Sequence, residues 1–449
     1  MTALTQIAAF VAQGCKIDDP LLCKRVQQAV TDVMGCILVG AKSDVAMRAQ
    51  SALQELGPGT APVYGCGKSF SPAFAALANA TAAHAYDLDD WEEPGNTHPS
   101  AVLVPALLAT ATLTPMSGEE FLRAYATGFE VIARVGNALT LPHYAKGFHT
   151  TATLGTLGAA AAVAHARGLD PERAGHALSL AVSQAIGYTG QFGTNAKPAQ
   201  AGFAAKSGII CALMAQEGVT AQPHILDGER GMNGLLGAGN QGTFRDAIAK
   251  LGAPPALVEY GIMLKAWPSC GYTHRTMTCA LDFRAQYPGK SSEIVDVRIT
   301  MPDFHKEILP FANPKDADEA LFSVEACLAQ VLVTGDQTPD DLKNGFWQNS
   351  EVQRLIACTK VHTEKPQNPA LNYDPNQPER VDITLRSSEH IHLQCAYPIG
   401  ALANPMSDQH LASKFCDLSG RDDRTFNIAM DWPTAANIVD HFQDFGDAP

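Results

Sequence analysis

The sequence predicts a mainly α fold, made of a large all-helical domain and a smaller α+β lid domain. Two patterns carry this prediction. Apolar residues recur at helical spacing along the first part of the chain and again in its tail. Between these parts, apolar and polar residues alternate with the period of half-buried strands. We therefore assign residues 1–265 and 405–449 to the all-helical domain and residues 266–404 to the α+β lid domain.

The helices of the first domain begin at typical starting residues. Asp18 and Asp19 precede Pro20, which suits the first position of a helix that ends near Gly40. Pro72 begins another helix in the same way. Further helical patterns cover residues 101–112, 118–139, 153–167, 171–186 and 199–217.

The lid domain is predicted from segments that alternate between apolar and polar residues. The apolar members are Val295, Val297, Ile299 and Met301, then Val381, Ile383 and Leu385, then Ile391, Leu393 and Cys395. The polar turn over residues 387–390 joins the last two segments into a hairpin. A helix is predicted over residues 316–332, and the tail over residues 407–445 is expected to pack on the first domain.

Composition excludes several classes of protein. The formal charge of −14 argues against binding to nucleic acid or to an anionic membrane surface. No apolar run is long enough to span a membrane, and residues 1–14 lack the basic start of a signal peptide. The 11 cysteines are scattered without a C-x-x-C pair, which indicates reduced thiols rather than disulfides, a zinc ribbon or an iron–sulfur cluster. We expect a cytoplasmic protein.

The sharpest local feature is the acidic segment HAYDLDDWEE over residues 84–93, followed by THPS over residues 97–100. Clustered carboxylates repel one another, so some are expected to have raised pKa values that suit acid–base work. The alternative is a solvated acidic loop with a helix cap at Ser100. Trp91 beside the acids and His98 at a helix entrance favour a pocket wall.

Three further segments place reactive side chains at helix entrances or at the predicted domain junction. His149 and three threonines precede a helix of small residues, whose free N–H groups suit a carboxylate, although a plain threonine cap is the alternative. Lys197 lies in a loop that enters another helix, where an ordinary surface lysine is the alternative. Residues 264–275 lie at the junction, where small ligands often bind, although a solvated linker is the alternative. The reactive members of this segment are Lys265, Cys270, Tyr272, His274 and Arg275.

Taken together, these segments resemble the MmgE/PrpD family. Five phrases carry the resemblance, in the expected order between residues 84 and 415: HAYDLDD…THPSAVLVPALLATA, GFHTTATLGTLGAAAAVA, KPAQAGFAAKSG, KAWPSCGYTHR and YPIGALANPMSDQHLASKF. The family includes 2-methylcitrate dehydratase, cis-aconitate decarboxylase and iminodisuccinate epimerase. The resemblance implies a small polycarboxylate substrate, no metal or organic cofactor, a homodimer, and the same pairing of a helical domain with a lid.

By motif, the resemblance places Asp87, His98, His149, Lys197 and Lys265 around one cleft. We predict a catalytic set and a substrate-binding set, and no metal ligands. The catalytic set is Asp87, His98, His149, Cys270 and Tyr272. The substrate-binding set is Lys197, Lys265, His274 and Arg275.

Three departures from the family pattern leave the reaction open. Cys270 stands where dehydratases and decarboxylases of the family often have a histidine. Ser323 is followed three residues later by Ala326, where the family often has a tyrosine. The loop between Asp87 and His98 is also about one residue longer than in the decarboxylase.

The predicted reaction moves a proton on a carbon next to a carboxylate. The two lysines would stabilise the resulting carbanion electrostatically, and either a neutral His149 or the carboxylate of Asp87 would accept the proton. Three outcomes stay open because one cleft can host them all. They are decarboxylation, dehydration with His98 as the acid, and epimerisation with Cys270 or Tyr272 on the opposite face.

Two other classes of protein compete with this interpretation. Residues 89–93 resemble the acidic magnesium-binding motif of helical terpenoid synthases, but residues 349–351 do not make a convincing second motif. A non-catalytic helical scaffold would instead leave the four segments far apart. The sequence lacks an H-E-x-x-H motif and a histidine pair four residues apart, so we expect no metal site.

Overall fold

The computed structural model of this chain describes residues 2–237, 241–368 and 371–446. It is 57% helical with two small sheets, so the predicted mainly α class is confirmed. Among the helices in the described ranges, none combines the length and the apolar character that a membrane crossing requires.

Helices dominate the described part of the chain up to about residue 260. They are α1 (Ala3–Gln13), α2 (Pro20–Gly40), α3 (Asp44–Gln54), α4 (Pro72–Ala83), α5 (Pro99–Ala111), α6 (Gly118–Ala145), α7 (Thr150–Ala166), α8 (Pro171–Val182), α9 (Ala196–Gln216), α10 (Met232–Leu236), α11 (Gln241–Ile248) and α12 (Ala256–Glu259). An antiparallel hairpin of β1 (Ala61–Val63) and β2 (Lys68–Phe70) interrupts them. The all-helical prediction missed this hairpin because strands of three residues are too short to show an alternation.

Helix α7 is buried along almost its whole length, from residue 150 to residue 164. Glycines allow α6 and α9 to approach it closely. A Cβ added at Gly158 would come within 2.3 Å of a side chain of α6, and one at Gly208 within 2.3 Å of Ala159. The many small residues of the sequence therefore serve tight helix packing, and the buried start of α7 holds His149 inside the protein.

The segment after residue 265 contains most of the strands. Its elements are α13 (His274–Gln286), β3 (Ile294–Pro302), α14 (Asp303–Ile308), α15 (Ala317–Ala320), α16 (Val324–Thr334), α17 (Pro339–Lys343), α18 (Ser350–Cys358), β4 (Thr359–Glu364), β5 (Glu379–Leu385) and β6 (His390–Cys395). The sheet has the order β4-β3-β5-β6, in which β3 and β4 are parallel and the other pairs are antiparallel. The predicted hairpin of β5 and β6 is confirmed.

Two local predictions in this segment were wrong. Val295 does not face the core but is exposed, because the register between β3 and β5 shifts at this point and turns Ile294 and Val297 inward. The helix predicted over residues 316–332 is broken into α15 and α16. A new helix begins after Ser323, because the Ser323 hydroxyl accepts a hydrogen bond from the Ala326 N–H and so caps the N-terminus of α16.

The tail forms α19 (Asp408–Ser419), α20 (Asp423–Met430) and α21 (Ile438–His441). It packs against α2, where Lys414 Nζ lies 2.7 Å from the Asp32 carboxylate. The buried apolar residues form two large clusters, one mainly from α1–α12 and the tail and the other mainly from residues 263–401. This distribution agrees with the two domains expected from the sequence, whose boundaries stay a prediction.

Candidate active site

A small cavity of about 20 Å³ borders the second apolar cluster, which contributes Trp91, Cys270, Tyr272 and Phe322 to its lining. The loop after α4, the first residues of α7 and α9, and the segment before α13 converge on it. Its walls are Asp87, Trp91, Asn96, His98, Tyr144, His149, Phe192, Lys197, Cys270, Gly271, Tyr272 and Phe322. Six of the nine residues that the sequence singled out therefore line one cavity, which does not agree with a scaffold whose segments lie apart.

Asp87 is the electrostatic centre of the cavity lining. Its carboxylate lies 2.5 Å from Lys265 Nζ and 2.8 Å from Lys197 Nζ, and all three side chains are buried. Burial alone would raise the pKa of Asp87, but the two ammonium groups outweigh burial and hold that pKa well below its usual range. Asp87 is consequently an anchored counter-ion and a poor proton acceptor.

The two lysines stand on different sides of Asp87. Lys265 is fully enclosed and also donates to the Asp87 and Ser269 carbonyls, at 2.9 and 3.2 Å, so it lies one layer behind the cavity wall. Lys197 lines the cavity, and its Nζ has no well-aligned hydrogen-bond acceptor among the described residues. The rings of Phe192 and Phe322 each lie 5.4 Å from this ammonium group. Burial lowers the pKa of Lys197, and the negative charge of Asp87 offsets part of that effect. Apart from its ion pair with Asp87, the Lys197 ammonium group has donors available for an anion.

Three buried histidines lie side by side at the cavity, where His98 and His149 line it and His84 packs behind them. The ring centroid of His84 is 4.5 Å from that of His98 and 5.8 Å from that of His149. Burial lowers the pKa of His98 to about 3, with help from Lys265, and lowers the pKa of His149 well below its usual value. Both rings are therefore neutral near pH 7 in the empty cavity, and His149 Nε2 has no hydrogen-bond partner among the described residues.

The acidic segment is buried, which excludes the solvated loop considered above. Asp89 stays ionised, because His84 and His98 outweigh the burial that would raise its pKa. Asp90 and Glu92 behave oppositely, since burial raises the pKa of Asp90 well above its usual value and that of Glu92 to about 7. Some carboxyl pKa values in the segment are raised, as expected from the sequence, but the main cause is burial rather than mutual repulsion. Asp87 alone among these acids lines the cavity.

Tyr272 belongs to a directional chain of hydrogen bonds. Trp91 donates through its indole N–H to Asn96 Oδ1 at 2.7 Å, and Asn96 Nδ2 donates to the Tyr272 hydroxyl at 3.0 Å. Tyr272 in turn donates to Asn372 Oδ1 at 2.7 Å. Its proton is thus committed away from the cavity, and burial raises its pKa well above the usual value. Cys270 lines the cavity as a thiol, because burial, reinforced by Asp87, raises its pKa to about 11.

Comparison with known proteins places this arrangement in a family. The chain matches the MmgE/PrpD N-terminal domain over residues 5–245 and the MmgE/PrpD C-terminal domain over residues 267–424. It belongs to the MmgE/PrpD family. A cis-aconitate decarboxylase from Aspergillus terreus is 26% identical over 420 residues, which cover 88% of this chain and 85% of the relative. A cis-aconitate decarboxylase-like protein from Aspergillus oryzae is 32% identical over 447 residues, which cover 92% and 91%. The cis-aconitate decarboxylase of Mus musculus is 26% identical over 442 residues, which cover 92% and 86%.

In this MmgE/PrpD protein, two further residues of the predicted substrate-binding set, besides Lys265, do not line the cavity. His274 is fully buried against Trp267, with ring centroids 5.4 Å apart, and burial lowers its pKa to about 3. Arg275 donates to two backbone carbonyls, including that of Asp374 at 3.2 Å, and its guanidinium lies 4.5 Å from the Tyr373 ring centroid. Their substrate-binding role stays a prediction from the sequence alone.

The acidic segment also raises the question of a metal. His84, Asp87, Asp89 and His98 bring potential ligand atoms within 4.8 Å of one another. Both oxygens of Asp87 already face ammonium groups, which repel a metal cation, and His84 Nδ1 is 2.9 Å from Asp89. The donor set therefore suits internal ion pairs better than a metal ion.

Sequence reasoning missed several residues of the wall. Asn96 follows Pro94-Gly95, a turn signal that could have drawn attention to it, and its φ of 54° is left-handed. Asp87 has a φ of 51°, so two non-glycine residues of the wall adopt a conformation that is uncommon outside glycine. Phe192 and Phe322 could not be recognised from the sequence, because an aromatic residue that lines a cavity has the same sequence pattern as one in the apolar core.

Proposed function

We propose that the protein is a lyase or an epimerase of small polycarboxylic acids that works by proton transfer at a carbon beside a carboxylate, without a metal or organic cofactor. One observation carries the proposal. Lys197, an ammonium group with free donors, and His149, a neutral imidazole with an unpartnered Nε2, line the same water-poor cavity. A cation for a carboxylate and a base for a proton are the two groups that this chemistry requires.

The geometry supports distinct roles for the residues around Asp87. Lys197 would bind a substrate carboxylate and stabilise negative charge as it develops on the neighbouring carbon. Asp87 and Lys265 would hold Lys197 in place, since Asp87 lies between the two ammonium groups. Of the two bases considered from the sequence, His149 is favoured over Asp87, because the low pKa of Asp87 makes it a weak acceptor.

Substrate entry requires the cavity to widen. A volume of about 20 Å³ holds about one water molecule, far less than a six-carbon acid with three carboxylates. The walls that would separate are the side of α7 and α9, which carries His149 and Lys197, and the side of Cys270, Tyr272 and Phe322. We therefore propose that the site widens from the arrangement seen here when a substrate enters.

Decarboxylation is the first reaction to test, because the relatives described above are cis-aconitate decarboxylases. In that reaction the bond between carbon and a carboxylate breaks, carbon dioxide leaves, and the electron pair stays on carbon until a proton is added. The proton would come from a histidine of the wall, because a bound polyanion raises the histidine pKa values that burial lowers in the empty site.

Dehydration and epimerisation have their own support. Both begin with removal of a proton by a base, and the empty site holds His149 as a neutral acceptor. His98 would protonate the hydroxyl that leaves in a dehydration, and Cys270 is the remaining proton-bearing group for the opposite face in an epimerisation. The wall therefore suits all three reactions, and the substrate decides among them.

Incubation with cis-aconitate, 2-methylcitrate and iminodisuccinate in deuterated water, followed by NMR, separates the three reactions. Release of carbon dioxide identifies a decarboxylase, loss of water a dehydratase, and deuterium uptake with inverted configuration an epimerase. Turnover of none of these acids, by a protein that is folded and free of inhibitors, would contradict the proposal.

Two matched pairs of variants connect the activity to the cavity. Lys197→Met should abolish binding and turnover, whereas Lys206→Met on the same helix should change neither. His149→Asn should lower kcat about 100- to 10,000-fold with a smaller effect on KM, because a proton-transfer group typically contributes that much. His165→Asn, near the other end of α7, is its control. Equal activity of both members of a pair would remove that residue from the proposal.

A further inference from the structure

The side chain of Gln200, in the first turns of α9, makes two opposite hydrogen bonds to one backbone residue. Its Oε1 accepts from the Tyr188 N–H at 3.0 Å, and its Nε2 donates to the Tyr188 carbonyl at 3.2 Å. A flipped amide would set donor against donor and acceptor against acceptor, so the identity of each end is determined. Gln200 is also buried, and a Cβ at Gly187 would come within 2.4 Å of Oε1, so the amide is tightly enclosed.

The oxygen held in this way meets His149. Gln200 Oε1 lies 3.0 Å from His149 Nδ1, and the backbone N–H of His149 donates to the Gly187 carbonyl at 3.0 Å. An amide oxygen can only accept, so Nδ1 must carry the hydrogen. In a neutral imidazole the lone pair is then on Nε2, which is the nitrogen without a partner among the described residues.

We propose that Gln200 is a positioning residue that locks His149 in its Nδ1–H tautomer and so reserves Nε2 for the substrate proton. The inference rests on the proposed function only for the role of that proton, since the tautomer itself follows from the contacts. The lock works without a charge. A carboxylate in place of the amide would stabilise the imidazolium, whereas the amide orients the ring and leaves it neutral.

Nitrogen-15 NMR of histidine-labelled protein tests the lock without any substrate, with His149→Asn to assign the signals. The wild type should show a protonated Nδ1 and an unprotonated Nε2 for His149. Gln200→Leu should give a mixture of tautomers and lower kcat about 10- to 100-fold with little change in KM, as is typical when the partner that orients a histidine is lost. Gln216 lies on the same helix as Gln200 and accepts a hydrogen bond from Arg167, so Gln216→Leu also removes a glutamine hydrogen bond but should change neither measurement.

Gln200→Glu separates positioning from a merely structural role. It keeps an oxygen in front of Nδ1 but adds charge, so the tautomer should persist while the acid limb of kcat/KM moves to higher pH. Either of two results would overturn the inference. The first is an unprotonated Nδ1 in the wild type. The second is an unchanged pH profile in Gln200→Glu together with an unchanged kcat in Gln200→Leu. If the tautomer is as inferred but His149→Asn keeps full activity, the lock stands and the proposed base is wrong.

Discussion

Replacing Asp87 with asparagine should destabilise the protein by about 3–5 kcal/mol, the range measured when one partner of a buried ion pair is removed. We expect a loss of this size because a single carboxylate forms ion pairs with two buried ammonium groups, at 2.5 and 2.8 Å. Lys265 retains two backbone carbonyls as acceptors. Lys197 has no such acceptor, so most of the loss should come from its uncompensated charge.

The pH dependence of this loss has a definite sign. The pKa of Asp87 is lower in the folded protein than its unfolded value of about 3.9, so its stabilisation is complete above that value and disappears as the pH falls through the folded pKa. The difference between wild type and Asp87→Asn should therefore be constant from neutral pH to about pH 5 and shrink only in stronger acid.

Urea unfolding, followed by tryptophan fluorescence, measures the effect as a shift in midpoint at constant slope. A cycle with Lys265→Met and the double variant isolates the coupling between the two residues. Asp408→Asn is the control, because it breaks an exposed pair with Lys24 at 3.0 Å that is worth about 0–1 kcal/mol. A loss for Asp87→Asn as small as that of the control would refute the view of Asp87 as the shared counter-ion of the site.

Three further outcomes are expected. The alkaline limb of the kcat/KM profile should lie below the usual titration range of a lysine, because burial lowers the pKa of Lys197. Lys197→Arg should move that limb to higher pH. If the limb does not move in this variant, it belongs to the titration of another group. Activity should survive dialysis against EDTA, whereas loss that magnesium or iron restores would favour the metal-dependent alternative. Sedimentation at micromolar concentration should give a homodimer, and a monomer would contradict the assembly implied by the family resemblance.

Local signals explain how much of the structure could be predicted from the sequence. Pro20 and Pro72 begin helices where expected, because proline at the first helical position is a local preference. Asp87 and Lys197 could be placed in one cavity only through the family resemblance, which matches the short motif around each of them. The positions of these side chains relative to one another within the site could not be predicted in this way. That Lys265 lies behind Asp87, and that Gln200 faces His149, depends on which helix packs on which, and spacing along the chain does not encode it.

The prediction of which residues of β3 face the core was wrong for a related reason. Val295 fits the alternation of β3 as well as its neighbours do, but a register shift against β5 turns it to solvent. The direction of the Tyr272 hydroxyl was equally hidden, because it is set by Asn96 and Asn372, which lie 176 and 100 residues away along the chain. Long-range partners of this kind decide which side chains are free to react.

Because the cavity has room for about one water molecule, a substrate-sized ligand should reach Lys197 only while the walls stand apart. Association should then be gated, with a rate set by the frequency of opening rather than by diffusion. The same gate protects the amine of Lys197 from reagents in solution. The rate at which an amine-selective reagent labels Lys197, compared with the exposed Lys24, therefore reports how often the site opens, and a ligand that holds the walls together should slow that labelling.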